Sequence, residues 1–588
     1  PVTGLAAVAS DAGVDVSWTN PTDGDLAGVL VVVGDATITF APVDGTAYAV
    51  DQDLGGGVRV LHVDATEATA IAPAVIGAAY QVAAWAYDDA GQFSAIATTT
   101  GRHDALGAQT GTISVDLTTQ VVTVVQQPAD LTLAGTAVYD DASDSLVIDL
   151  TVQNDTARLL FNLKGLSTAI NEGGQSAPLF PAVGGVPYTY YGPEALDVGG
   201  TMTRQLALTG ITGGTDPITV DLTFVDAPMI YTGATYGALE FVDSSGSGQA
   251  DFVELGVTQS PRQGAMSPDG RFIYTGRKEA SAVYAVDTTT LTAVAGAALG
   301  GGALSSVGGV ALTPGGDRLL VAINDGAHWN NGADGEAGPA SGDAGIELVE
   351  VAPAGLTEVQ RVTLTTADGL GRVAHEVQVS PDGALAVVLV TRPGAGATGV
   401  SEVWLVDLAT FAVIDADGAT AGDQPVPMAS VGQADHAIFF AGKLYVTFNQ
   451  YRFGDANVAV SVDVVDPVAH TVTTVTPVGG GSWSGMPVAT ADRLYYSTRR
   501  GPVTAPVTVF TAAGDQHQVA GFTDVHAIAL APDGARYYVF DGNGGRCWIM
   551  DATTDLPIDT DGDAGNGATP IASNFEVVGS HLVLTSPF

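Results

Sequence analysis

A short turn phrase recurs between residues 228 and 588, and no other feature of the sequence constrains the fold as strongly. The phrase reads Ser-Pro-Asp-Gly at residues 267–270 and 380–383, Ala-Pro-Asp-Gly at 531–534 and Thr-Pro-Gly-Gly at 313–316. Pro, Asp and Gly favour tight turns, and apolar, β-branched or aromatic residues flank each copy. Each copy therefore predicts a strand, a turn and a second strand.

Three further copies lack the Pro-Asp-Gly turn, at residues 437–446, 488–496 and 575–584, which brings the total to seven. A third strand that ends in an acidic residue follows most copies, at residues 283–287, 346–350, 403–407, 462–466 and 547–551. Repeats of about 40 to 50 residues with four strands are typical of a β-propeller. The last copy stops after two strands, whereas strands at residues 237–243 and 252–255 precede the first copy. We therefore expect the ring to close by joining its two ends.

The turn phrase also resembles that of a known family. Followed by Phe272, Ile273 and Tyr274, it is similar to the repeat of YVTN-type β-propellers, which occur in secreted and cell-surface proteins and are allied to lactonase-type propellers. The resemblance implies a seven-bladed propeller over residues 228–588. It implies little about function, because propellers host binding, scaffolding and several enzyme chemistries.

The first 227 residues predict two β-sandwich domains. Residues 1–101 carry short alternating strands. Trp18 in an early strand, and a late strand at residues 80–87 followed by the turn at 88–94, resemble a fibronectin type III domain. Residues 101–111 are typical of a linker, and residues 112–227 predict a second, Ig-like sandwich. The predicted fold class is thus all-β, with two sandwiches followed by the propeller.

Charge and hydropathy limit the partners. The chain has 64 Asp and Glu against 20 Lys and Arg, a formal net charge of −44, which argues against nucleic acid and anionic membrane surfaces. No apolar run approaches the ~18 residues of a membrane span. The 46% hydrophobic content excludes disorder. Because the chain starts at Pro1, without an initiator Met or a leader, we expect a mature secreted or cell-surface protein.

Three histidines are the first candidate site. When the copies are aligned on their turns, His375, His436 and His526 share one position at the start of the innermost strand. In a propeller this position lies at the rim of the axial channel, where three imidazoles can bind Zn²⁺ or Cu²⁺. Neighbouring acids can orient the rings, namely Glu376, Asp435 and Asp524. The alternative is a polar lining of the channel, with each ring hydrogen-bonded to backbone or water.

A second candidate site is a loop in which acids alternate, with Asp559, Asp561 and Asp563 in a Gly-rich stretch. Oxygens at alternate positions can surround one Ca²⁺ ion. The loop departs from the EF-hand pattern because it has no Glu at the twelfth position, so an ordinary acidic turn is the alternative. A single cysteine, Cys547, excludes an intramolecular disulfide and any metal or redox site built on several cysteines.

The sequence has no nucleophile elbow, no H-E-x-x-H motif and no phosphate-binding loop. We therefore favour a secreted or cell-surface binding or structural protein that contacts an extracellular protein, a glycan or copies of itself. The alternative is a metal-dependent hydrolase, as the lactonase resemblance implies, in which the axial histidines hold a metal that activates water.

Overall fold

The computed structural model is an all-β protein, as the sequence predicts, and its described residues contain no helix. Consequently, within those residues, no helix has the length and apolar character needed to cross a membrane. The structure describes residues 2–10, 13–21, 25–34, 38, 40–50, 52, 54, 58–64, 70–72, 79–102, 109–171, 175–176, 188–192, 194–211, 217–226, 229–233, 238–243, 250–254, 261–277, 282–299, 306–325, 345–364, 372–393, 399–420, 422–430, 433–449, 461–477, 483–484, 486–490, 492–499, 507–522, 525–531, 536–541, 546–558, 571–572 and 583–585.

The first seven strands form two sheets, with orders β1-β2-β5 and β4-β3-β6-β7. Their bounds are β1 Thr3–Ser10, β2 Gly13–Thr19, β3 Leu26–Gly34, β4 Val58–Asp64, β5 Ala70–Ala72, β6 Ala79–Asp88 and β7 Ala97–Arg102. Alternate residues of a strand face opposite sides of the sheet. Accordingly Val29, Val31 and Val33 pack against Trp18 of the other sheet, whereas Leu30 and Val32 pack in a separate cluster.

The next nine strands form two larger sheets, with orders β10-β11-β15-β13 and β14-β12-β16-β8-β9. Their bounds are β8 Gln109–Asp116, β9 Val121–Gln126, β10 Leu131–Asp140, β11 Ser145–Asn154, β12 Lys164–Ile170, β13 Gln175–Ser176, β14 Tyr188–Tyr190, β15 Thr201–Thr209 and β16 Ile218–Val225. Between β11 and β12, Leu160 forms an isolated bridge with Leu196. Tyr191 is fully buried in the core of this unit.

The remaining strands form seven four- or five-stranded antiparallel sheets in the described residues, which we number as blades 1 to 7 in chain order. Blade 1 contains β17 Met229–Gly233, β18 Ala238–Asp243 and β19 Ala250–Glu254. Blade 2 contains β20 Pro261–Met266, β21 Phe272–Arg277, β22 Ala282–Asp287 and β23 Thr292–Ala298. Blade 3 contains β24 Ser306–Leu312, β25 Leu319–Asp325, β26 Gly345–Ala352 and β27 Thr357–Leu364. Blade 4 contains β28 Val373–Val379, β29 Leu385–Pro393, β30 Gly399–Asp407, β31 Ala412–Ile414 and β32 Val426–Pro427.

Blades 5 to 7 repeat this arrangement. Blade 5 contains β33 Gln433–Phe440, β34 Lys443–Asn449, β35 Val462–Asp466 and β36 Thr471–Val475. Blade 6 contains β37 Trp483–Ser484, β38 Val488–Ala489, β39 Arg493–Arg499, β40 Val507–Thr511 and β41 Gln516–Val519. Blade 7 contains β42 Val525–Leu530, β43 Arg536–Asp541, β44 Arg546–Asp551 and β45 Ile571–Ala572, and the last strand of the structure is β46 Val583–Thr585.

The seven blades form a closed ring. The inner strands of successive blades contact each other in the order β20, β24, β28, β33, β38 and β42. The last of these, β42, contacts β46, and β46 in turn contacts β20. In blade 1, β46 pairs antiparallel with β17, so Val583, Leu584 and Thr585 complete a sheet whose other strands lie before residue 255. The predicted joining of the two ends of the ring is therefore confirmed. Closure gives β17 a strand partner on the side that faces the axis, which would otherwise be an unpaired edge.

The repeated turn phrase makes a fixed set of hydrogen bonds. In blade 2, Ser267 Oγ donates to Asp269 Oδ1 at 2.5 Å and accepts from Phe272 N at 2.8 Å, which closes the loop between β20 and β21. Gly270 has φ +74°, a left-handed backbone conformation that is energetically unfavourable for residues other than glycine. Blade 4 repeats these contacts with Ser380 and Asp382. The Ser-Pro-Asp-Gly phrase is thus explained by backbone geometry.

A packed junction connects the second pair of sheets to the propeller. Leu159 and Phe161 share a buried cluster with Tyr231 of blade 1 and Ile273 of blade 2. Arg271 Nη1 lies 2.7 Å from Asp197 Oδ2 across the same junction. These apolar and charged contacts fix the end of the sandwich against blades 1 and 2.

Candidate functional site

The described innermost strands of blades 2, 3, 4, 5 and 7 each have a β-bulge or a similar shift in register, and the shift sets which residues share a position around the channel. In β28 the bulge falls at His375, between the paired residues Ala374 and Glu376. In β33 it falls one residue earlier than the sequence alignment implies, between Ala434 and His436. His436 therefore occupies the position of Glu376, and not the position of His375.

The structure brings two of the predicted histidines into the buried part of the ring. His375 is 8% exposed and His436 is 4% exposed. His526 lies at the bulge of β42, the same register position as His375, but its side chain is outside the described residues. Among the side chains that the structure describes, no three His, Cys, Asp or Glu residues are placed to share an ion. The metal site at the three histidines stays a prediction.

The acidic loop also stays a prediction. Asp559, Asp561 and Asp563 all lie outside the described residues, which resume at Ile571 after Ile558. Residues 326–344, between β25 and β26, are outside the described residues as well.

A buried carboxylate joins blades 4 and 5. Glu376 is 4% exposed, and its Oε2 lies 2.9 Å from His436 Nδ1. Its Oε1 accepts hydrogen bonds from Gln378 Nε2 at 2.6 Å and from the backbone amide of Ala437 at 3.2 Å. A buried carboxylate requires such donors, because an unpaired buried charge is very costly. The His436 ring is held by this carboxylate at one of its two nitrogens.

Side-chain amides replace backbone pairing along the inner face of β28. Gln263 of blade 2 donates from Nε2 to Val377 O at 3.0 Å and accepts from Val377 N at 3.2 Å, so it bridges blade 2 to blade 4. Asn324 does the same at Ala374, with distances of 3.1 and 2.6 Å. Backbone groups at a buried edge must be paired, and these amides pair them.

Two glycines of β24 make this bridge possible. A Cβ built at Gly309 would lie 2.3 Å from Gln263 Oε1 and 2.9 Å from Val377 N. A Cβ at Gly308 would lie 2.4 Å from Ala374 O. The absence of a side chain at both positions lets β28 and the Gln263 amide approach β24 closely.

A cavity of about 440 Å³ lies on the axis beside this network. It is lined by the inner strands of blades 2 to 5 and by the segment before β38. Its described lining residues are Gln263, Gly264, Ala265, Met266, Pro268, Val310, Ala311, Leu312, Thr313, Pro314, Glu376, Gln378, Val379, Ala437, Ile438, Met486 and Pro487. The inclusion of Pro268 and Pro314, both exposed, shows that the cavity opens on the face that carries the turns. Cavities of this size suit small ligands.

The turns beside the mouth carry acids that stay ionised. Hydrogen bonding by Ser380 holds the pKa of Asp382 below its usual value, and hydrogen bonding by Thr313 does the same for the pKa of Asp317. Asp269 occupies the equivalent place in blade 2. Carboxylates at the rim of a cleft raise the local concentration of cations.

An ion cluster at the other end of β28 is a feature that the sequence analysis missed. Glu402, 4% exposed, accepts from Arg372 Nε at 2.9 Å and from Arg392 Nε at 2.5 Å. The Arg372 guanidinium also lies over the Trp404 ring, 6.0 Å from its centroid. All four residues belong to blade 4 or directly precede it, so this cluster stabilises one blade. No spacing in the sequence indicates it, because Glu402 lies 30 positions from Arg372 and 10 from Arg392.

Comparison with known proteins finds only distant likenesses among solved structures. No family model matches the sequence, and no curated protein matches it. Among solved structures, the chain is similar to hydrazine synthase of Kuenenia stuttgartiensis, with 17% identity and a TM-score of 0.40 over 54% of this chain and 90% of that one. A candidate 6-phosphogluconolactonase of Bacteroides fragilis has 14% identity and a TM-score of 0.40 over 61% and 98%. The Cps50 (Swd1) β-propeller domain of Myceliophteria thermophila has 14% identity and a TM-score of 0.38 over 55% and 91%. Because these identities and TM-scores are low, we assign the propeller architecture from the strand pairing described above, and we infer function from the site itself.

Proposed function

We propose that this chain is a secreted or cell-surface binding protein whose axial cavity receives its ligand. The observation that carries the proposal is the cavity of about 440 Å³, which combines a buried, hydrogen-bonded carboxylate at Glu376 with apolar walls and opens on the turn face. Ligand sites commonly combine mostly apolar walls with a few placed polar groups. The ligand is a small molecule, a sugar residue of a glycan or a side chain of an extracellular protein.

The sandwich modules complete the proposal. The strand order β1-β2-β5 opposite β4-β3-β6-β7 supports a fibronectin type III-like module over residues 1–101, and the two sheets of the following unit support an Ig-like module over residues 112–227. We assign to them contacts with an extracellular partner or with a second copy of the chain. The YVTN-like repeat of residues 228–588 and the excess of acids over bases support the extracellular location.

The test fills the cavity and leaves the fold intact. Ile438 is half-buried in the cavity wall, so Ile438→Trp should occlude the cavity. Val468→Trp is the matched control, because Val468 is 86% exposed in the turn after β35. Thermal unfolding is measured with a panel of sugars, amines and carboxylates. We expect at least one compound to raise the Tm of the wild type and of the control but not of Ile438→Trp, since a ligand stabilises the state that binds it. If no compound distinguishes the two variants, the proposal is wrong.

A metal-dependent hydrolase is the second candidate, and the Glu376–His436 pair is the observation that favours it. Metal-binding histidines are commonly oriented by a carboxylate at their other nitrogen. The described residues supply no set of three ligands, so we derive no catalytic step. Metal analysis of the purified protein tests this candidate, with His375→Ala and His436→Ala each expected to remove most of the bound transition metal. A wild type without stoichiometric metal would contradict it.

A further inference from the structure

The charge of the axial cavity selects among the ligands that the proposed function allows. Glu376 is the one ionisable side chain among the described residues that line it, and no described Lys or Arg lines it. Glu376 is an acid at the wall of a site with low exposure, where charges interact more strongly than in water. An anionic ligand would meet this carboxylate with no Lys or Arg among the described lining residues to compensate, and the His436 ring that contacts Glu376 is not part of that lining.

The polar side chains that line the cavity already use their donor groups within the protein. The Gln263 amide is used on both sides by the backbone of Val377. The Gln378 amide donates from Nε2 to the Glu376 carboxylate. The amide oxygen of Gln378 accepts no hydrogen bond from a described residue, so it is available to accept one from a ligand. Thr313 Oγ1 donates to Asp317. A ligand that carries several donors and no acceptor complements this set, and an ammonium group is such a ligand.

The walls and the rim agree with the same ligand chemistry. Met266, Val310, Leu312, Ile438 and Met486 provide an apolar surface for a short alkyl chain. The ionised turn acids described above lie at the open face and draw cations toward it. The cavity therefore offers an apolar wall, a buried counter-charge and an acidic entrance.

We propose that the axial cavity binds a small organic cation, an alkylammonium compound, with Glu376 as its counter-charge and the Gln378 amide oxygen as a second acceptor. The inference rests on the proposed function, since it names the ligand class of the same cavity. It concerns binding alone and involves no chemical step.

The first experiment compares three probes of similar length on the wild-type chain by calorimetry at low salt. The probes are pentane-1,5-diammonium, the neutral pentane-1,5-diol and the dianion glutarate. We expect the diammonium probe to bind at least about tenfold more tightly than the diol, because hydrogen bonds to a charged group are the stronger class. We expect no binding of glutarate. Equal or tighter binding of the diol or of glutarate would overturn the cation assignment and leave the cavity as the binding site, whereas failure of every probe and of the wider panel would overturn both proposals.

Three variants locate the counter-charge. Glu376→Gln should weaken diammonium binding at least about tenfold. Gln378→Lys should abolish it, because the new ammonium group pairs with Glu376 inside the cavity. The matched control is Glu358→Gln on β27, the outermost strand of blade 3, which should bind like the wild type. If Glu376→Gln fails to fold, Gln378→Lys still decides, since it retains the carboxylate. Unchanged binding in Gln378→Lys would overturn the proposal.

A further arm distinguishes a free cation from a protein side chain. The capped tripeptide Ala-Lys-Ala carries the same ammonium group on a backbone. Tighter binding of pentane-1,5-diammonium supports the small-molecule ligand. Tighter binding of the tripeptide would overturn it and assign the cation to a lysine of a partner protein.

Discussion

Replacing Gly309 by alanine tests the close packing that holds the axial network together. The new Cβ would meet Gln263 Oε1 at 2.3 Å, Val377 N at 2.9 Å and Glu376 Cα at 3.0 Å. The last two atoms belong to the backbone of β28, whose residue Val377 is fully buried, so they have little room to move. The Gln263 side chain must therefore leave its place.

The cost follows from what is lost. Gln263 makes two hydrogen bonds to the backbone of Val377, each contributing about 1 kcal/mol. The added methyl group overpacks the interface at a cost of about 1–3 kcal/mol. We therefore expect the free energy of unfolding of the propeller to fall by about 3–5 kcal/mol. Gln263→Ala removes the two hydrogen bonds alone, and the double variant should cost less than the sum of the two single changes because they share one contact.

Urea denaturation followed by tryptophan fluorescence measures the effect, since Trp404 is fully buried in blade 4. The matched control is Gly355→Ala, whose Cβ would meet only Thr357 Oγ1 at 3.4 Å, an ordinary contact. The control should change stability by no more than about 0.5 kcal/mol. A loss of less than about 1 kcal/mol in Gly309→Ala, or full additivity with Gln263→Ala, would refute the reasoning.

Three further predictions concern charges. Glu402→Gln should lower the free energy of unfolding by about 3–5 kcal/mol, because it leaves two guanidinium groups, one of them buried, without their carboxylate. Glu358→Gln, which removes a more exposed ion pair, should lower it by less than about 1 kcal/mol. Equal losses for the two variants in urea titrations would contradict this prediction. The hydrogen bond from Lys443 lowers the pKa of Asp466 from 3.8 to about 2. The contribution of ionised Asp466 to the stability of the fold is therefore complete above about pH 4 and is lost as the pH falls through 2. Asp466→Asn should therefore show a smaller drop in Tm between pH 5 and pH 2 than the wild type; an identical drop would speak against it. If residues 559–563 bind Ca²⁺, a chelator should lower the Tm of the wild type but not of the Asp559→Asn, Asp561→Asn double variant, and no chelator effect on either would leave the loop as an acidic turn.

The propeller could be predicted because its turns have local causes. A left-handed glycine at Gly270 and a serine that hydrogen-bonds Asp269 need particular residues at fixed spacing, so the phrase is visible wherever the turn occurs. The acids that end the third strands are equally local, since Asp287 accepts from Thr289 N at 2.8 Å in the turn that follows. Such contacts lie within a few residues of sequence.

The axial site could be predicted only in part. The alignment placed His436 beside His375 because it assumed one turn length, whereas blade 5 uses a two-residue hairpin turn, Ala441 and Gly442, both with positive φ. The roles of Gln263 and Glu376 depend on the ring, because Gln263 contacts a residue 114 positions away and Glu376 contacts His436, 60 positions away. One signal was available: when β33 and β28 are aligned on their bulges, His436 aligns with Glu376 as a second polar residue at the same place on the axis.

Pairing of β46 with β17 has a consequence for how the chain reaches this fold. The partners Ile230 and Thr585 emerge from the ribosome at opposite ends of propeller synthesis, so blade 1 must wait for its inner strand until nearly all other blades have been made. Long-range pairing of this kind slows folding. During that interval β17 presents an unpaired edge, and aggregation at such edges is a known hazard of slow β-sheet assembly. The sandwich sheets, whose strands all precede residue 226, can form meanwhile. The packed junction on Leu159 and Phe161 would then offer blades 1 and 2 a preformed surface on which the nascent ring assembles.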